Sequence, residues 1–148
     1  MLYLVFFIIS FSTVSPLDKL AAFAQDDLIG MGVLRSATPT ATLTNEQRYE
    51  QARVLLRDVR TSTLGLFPHY DASRLQTAGS LLADMVNQQG DETRLQLEAA
   101  YLLAKVRLAQ HNVPAAREAL TLIIESDLDH NVRKADAEAL MAAIPDQD

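Results

Sequence analysis

One spacing in the chain imitates a metal loop: Asp127-Leu-Asp129-His-Asn131, with Glu138 at the twelfth place. Alternating oxygen-bearing side chains followed by a distant carboxylate are what a calcium loop supplies. The imitation fails at the sixth place, where Val132 stands instead of the Gly that the sharp turn needs. Residues 132–138 also read as helix, which would draw Glu138 away from the other oxygens. Capping of a helix start accounts for Asp127 and Asp129 without a metal. The histidines His69, His111 and His130 fall in expected turns and never at i, i+4 on one helix face, so no zinc site is indicated and all are expected to be solvated.

Other chemistry is equally unmarked. The chain has no cysteine, which removes disulfides, thiolate ligands, a cysteine nucleophile and a lipid-bearing cysteine together. No Gly-x-Ser-x-Gly elbow, phosphate-cradling glycine loop or dinucleotide fingerprint occurs. The expectation is a non-enzyme without cofactor or metal. Arg53, Arg57 and Arg60 form a basic stripe beside the apolar face of the first expected helix. Such a stripe can take a carboxylate or phosphate, but a solvated face partly neutralised by Glu50 is the expected role. A net charge of -6 over 148 residues leaves no cationic excess for phosphates, so nucleic acid is not expected as a partner.

The elements that would hold any site begin well inside the chain. Leu2 to Val14 is a continuous apolar run, the length of a signal-peptide core and too short to span a ~30 Å hydrocarbon layer comfortably. Pro16 breaks it, and Ala22-Phe23-Ala24 places small residues where a signal peptidase needs them, before Gln25-Asp26-Asp27. Residues 1–24 are therefore expected to be a cleaved signal peptide, with a retained N-terminal anchor or a buried or mis-started segment as the alternatives. Residues 25–44 are expected to be a flexible linker: an apolar patch (Leu28, Ile29, Met31, Val33, Leu34) expected to dock on the domain, then a Thr/Ala/Pro tract without period. The mature domain is expected not to insert into a membrane, and a periplasmic or secreted location follows.

From Thr44 apolar residues recur every 3.6 positions, which predicts an all-α domain over 45–148 built from five helices. The first opens on a capping box, Thr44-Asn-Glu-Gln47, and buries Tyr49, Ala52, Leu55, Leu56 and Val59. Thr61 to Pro68 ends it, through Gly65 and Pro68. The second, about 72–88, buries Leu75, Ala78, Leu82 and Met85 or Val86, with Gly90 set to close it in a left-handed conformation. Asp91 is expected to cap the third, about 92–110, whose two apolar stripes mark it as central: Leu95, Ala99, Leu102, Val106 and Ala109, and Leu97, Tyr101, Ala104 and Leu108. Asn112 caps the fourth, which tolerates Pro114 in its first turn and buries Ala116, Ala119, Leu120 and Ile123. The fifth, about 131–143, is expected to bury Val132, Ala135, Ala139 and Ala143. Short connections require antiparallel neighbours, hence stacked hairpins.

The segment Leu102 to Leu120 resembles a tetratricopeptide repeat at the positions that carry that family's packing. Leu103-Ala104 matches its large-small pair, Asn112 its polar turn, Ala116 its small contact residue, and Leu120 the large residue that follows. The likeness covers about one repeat, residues 97–129; Arg107 stands where the family carries an apolar residue, and no Pro closes the repeat. It implies a stack of helical hairpins that holds a peptide or protein partner without catalysis. It also implies a concave face on the third helix with Glu98, Tyr101, Lys105 and Leu108 as protein-binding residues, against the alternative that Tyr101 and Leu108 pack as core. The rival function is a structural accessory subunit, or a piece of a longer repeat array, that self-associates. Asp136 and Glu138 outward and the ending Pro145-Asp-Gln-Asp look like a capping helix and favour the interaction module.

Overall fold

The computed structural model describes residues 16–23, 43–57, 59–63, 67–88 and 93–145. Within them the fold is predominantly helical: α1 (Pro16–Leu20), α2 (Asn45–Arg57), a short ribbon of β1 (Arg60–Thr63) and β2 (Phe67–Tyr70), α3 (Ala72–Val86), α4 (Arg94–Ala109), α5 (Val113–Glu125) and α6 (Lys134–Ala143). From α2 onward each helix packs against the next, and α4 also meets α1 and α2. The apolar run 2–14, the cleavage site at Ala24, the patch and tract of 25–42, and Gly90 and Asp91 lie outside the described residues.

Helix starts are written locally. Thr44 and Gln47 satisfy each other, with the Gln47 N–H donating to the Thr44 hydroxyl at 3.3 Å and the Thr44 N–H to Gln47 Oε1 at 2.9 Å. Asp71 caps α3 by accepting from the Arg74 N–H at 3.1 Å, and Asn112 caps α5 by accepting from the Ala115 N–H at 3.2 Å. α4 is capped by Thr93 in a second capping box with Gln96, not by Asp91 as expected, so the helix starts two residues late. The Gln96 amide also donates to the Met85 carbonyl at 3.2 Å, so one side chain serves the start of α4 and the end of α3. Asn45 and Gln88 exchange amide hydrogen bonds of 2.7 and 2.9 Å and tie the start of α2 to the end of α3, as antiparallel neighbours require.

The core follows the expected faces of α2 to α5: Ala52, Leu56, Val59, Leu75, Ala78, Leu82, Met85, Ala116, Ala119, Leu120 and Ile123 are buried, while Tyr49 and Leu55 are half-buried against them. Both stripes of α4 are buried except half-buried Leu95, and eleven of its sixteen residues are sealed from water. Such a helix lies at the centre of the stack.

Three expectations are corrected. The stretch 61–68, expected only to end the first helix, carries strands: β1 and β2 pair antiparallel with Arg60 opposite Tyr70 and Thr63 opposite Phe67. Strands of four residues are too short to announce a period of two, and β-branched Thr61 and Thr63 were the available signal. The ribbon moves His69 from an expected turn into β2, where it remains exposed. The last helix begins at Lys134 and buries Ala137 and Leu140, with Ile144 beyond it, while Val132 is 55% exposed and Ala135, Ala139 and Ala143 are exposed. Leu140 and Ile144 bury more apolar area than alanines do, and that difference sets the rotation of the helix. Asp127 and Asp129 do not cap it: its N-cap is Arg133, without a side-chain hydrogen bond. Asp136 and Glu138 are outward as expected.

Candidate functional site

Among the described residues no three His, Asp or Glu side chains converge as a metal site would require. Asn131, the middle of the calcium-like spacing, instead donates to the Ile123 carbonyl at 2.8 Å and accepts from the Arg133 N–H at 3.2 Å, which pins the α5–α6 turn. Nor do the arginines form a stripe. α2 ends at Arg57, which is exposed, and Arg60 belongs to β1. Arg53 is buried, pairs with Glu50 at 2.8 Å and lies 5.6 Å over the Tyr49 ring. Its Nε and Nη2 are sealed from water without a hydrogen-bond partner.

The residues expected to bind a partner do share one face of α4, as a spacing of three or four residues requires. That face is covered: Tyr101 and Leu108 pack as core, as the alternative reading had it, and no open surface is presented. Leu108 is 0%, Lys105 7% and Tyr101 8% exposed. Glu98 pairs with Arg133 at 2.7 Å, and the Arg133 guanidinium lies 4.7 Å from the Tyr101 ring centre while holding Asp136 at 3.1 Å. The turn before α6 thus clamps one end of the face through a cation over an aromatic ring and two carboxylates. The Lys105 ammonium lies 5.2 Å from the same ring.

At this end the face is covered by the chain itself. Lys105 Nζ donates to the Ala22 carbonyl at 3.1 Å across 83 residues of sequence. The Tyr70 hydroxyl donates to the Asp18 carbonyl at 3.1 Å, and the Tyr70 ring meets Phe23 edge to face at 6.5 Å. His111 Nε2 stands 3.6 Å from Asp18 Oδ1. Ala21 is 0% exposed and part of the hydrophobic core, against which Leu17, Leu20 and Phe23 also pack. Residues 16–23 therefore lie on α4 and β2 as a ligand would, with side chains on apolar surface and two main-chain carbonyls read by donors of the domain. Tyr70 and His111 were not among the residues expected at the site. Tyr70 reaches it from β2, distant in the chain, while His111 stands at the end of α4 itself, where nothing in the sequence marks it as facing residues 16–23.

Comparison with protein-family models, with curated proteins and with solved structures found no match. What the fold defines is a predominantly helical protein of packed neighbouring helices, compatible with a helical-repeat architecture.

Proposed function

We propose that the chain is a non-enzymatic interaction module of tetratricopeptide-like type, acting in the bacterial cell envelope or outside the cell. It holds a short segment of another protein against α4. One observation carries this reading: a segment of eight residues, remote in sequence, rests on α4 with its main chain hydrogen-bonded to Lys105. A face that reads a carbonyl and buries small apolar side chains reads peptides generally, because every peptide offers carbonyls. The α4–α5 hairpin, with Asn112 in its turn and Ala116 and Leu120 buried, supports the tetratricopeptide likeness, and the run Leu2 to Val14 before Ala22-Phe23-Ala24 supports export.

The test places a photoreactive phenylalanine analogue at exposed His111 in the native host and sequences the cross-linked peptide. The expected product joins residue 111 to a segment of a different protein, and Lys105→Glu removes it. Cross-links confined to this chain, or unaffected by Lys105→Glu, would overturn the reading.

A further inference from the structure

We propose that residues 16–23 are a displaceable internal ligand, and that the groove beneath them takes in trans a short peptide of the same pattern. This rests on the reading of the α4 face as a peptide site and names its ligand class. Four contacts define the pattern. Leucines at the places of Leu17 and Leu20 and a small residue at Ala21 put one helical turn on apolar surface. Ala21 is wholly enclosed, so the ligand has no room there for a larger side chain. The helix ends at Leu20, and the Ala22 carbonyl beyond it accepts from Lys105. An aromatic ring at the place of Phe23 then meets Tyr70 edge to face. An acidic residue at the place of Asp18 stands beside His111. The occupant is therefore a neutral-to-acidic segment of the form Leu-Asp-x-Leu-Ala-x-Phe, bound as a helical turn that ends at Lys105.

Tethering sets who occupies the groove. Nineteen residues join Phe23 to Leu43, and a tethered segment competes at an effective concentration on the order of 1 mM. Free peptide of equal affinity at ~0.1 mM then fills only roughly a tenth of the sites. Cutting the chain between the segment and α2 removes that advantage without altering a contact in the groove. Cleavage after Ala24 would be such a cut.

The experiment uses the full chain with a protease recognition sequence inserted within residues 36–42. A fluorescein-labelled peptide of residues 16–24 is added before and after cutting, and anisotropy is read at equilibrium. Saturable uptake is expected after the cut and little before it. The same peptide with Arg in place of Ala21 should not be taken up, a comparison that leaves the protein untouched. Lys105→Gln in the cut chain should weaken uptake by about tenfold or more, the effect of losing a charged hydrogen bond. A cut chain that keeps its circular dichroism but takes up no peptide overturns the proposal. So does equal uptake before and after cutting, or a light-scattering mass of two chains with their N-terminal segments exchanged. Failure here with a productive cross-link from residue 111 would reject the internal ligand and leave the module standing. Failure of the cross-link with peptide uptake intact would do the reverse.

Discussion

At the scale of single residues, two positions make measurable statements. Glu46 lies in the first turn of α2, and its carboxyl is held below the usual value of 4.5, first by a hydrogen bond from its own backbone N–H and then by the Thr44 hydroxyl, against a small opposing effect of burial. A carboxylate with a depressed folded pKa stabilises the fold above its unfolded pKa, and that stability is lost as pH falls through the folded value. Glu46→Gln should therefore lower the melting temperature slightly at pH 7 and converge on the parent as pH falls well below 4.5, which flattens the acid limb of the profile. An acid limb identical to that of the parent would show that the carboxylate contributes nothing at the helix start. His111 has φ of 57° and closes α4: its N–H donates to the Leu108 carbonyl at 2.9 Å and the Asn112 N–H to the Arg107 carbonyl at 2.8 Å. This pair of bonds is the Schellman closure, whose left-handed residue is ordinarily Gly because Cβ is strained there. His111→Gly is expected to stabilise the fold by about 1 kcal/mol in denaturant titration, less what the contact with Asp18 supplied.

Between elements, the α3–α4 contact is set by a residue that carries no side chain. A Cβ built on Gly79 would stand 3.3 Å from Val106 Cγ1, so the two helices approach more closely here than most side chains permit. Val106 is wholly buried and has little room to retreat. Gly79→Leu replaces a poor helix former by a good one, so local propensity favours the variant and any loss measures the packing alone. The expected loss is about 1–3 kcal/mol by thermal or denaturant unfolding, and a neutral result would mean that α3 and α4 slide apart freely. The same close contact lets both stripes of α4 be covered at once, by α3 and α5, while Lys105 reaches residues 16–23 through the Ala22 carbonyl.

For the whole molecule, burial falls from the centre outward: eleven residues of α4 are buried, against two in α6 and none in α1. Opening energies follow buried contacts, so native-state hydrogen exchange should find the slowest amides in α4, faster ones in α6 and the fastest in α1. An α1 as slow as α4 would make the N-terminal segment a permanent part of the core instead of a displaceable one. Periodicity determined helices α2 to α6 and the inward faces of α2 to α5, because a stripe of apolar residues at 3.6 spacing can be buried in only one rotation. Local hydrogen bonding determined the starts at Thr44 and Asn112, since each cap needs only its own next three residues. Tertiary structure decided the rest. The rotation of α6 depended on whether Leu140 and Ile144 or a row of alanines met α5, a comparison of buried areas that periodicity does not make. Covering of the Glu98, Tyr101, Lys105 and Leu108 face depended on Arg133 and on residues 16–23, and no local pattern records that Ala22 meets Lys105 across 83 residues. Such a contact forms only when the stacked helices bring both to one end of the groove, so composition and spacing mark a suitable face while the folded chain alone decides what lies on it.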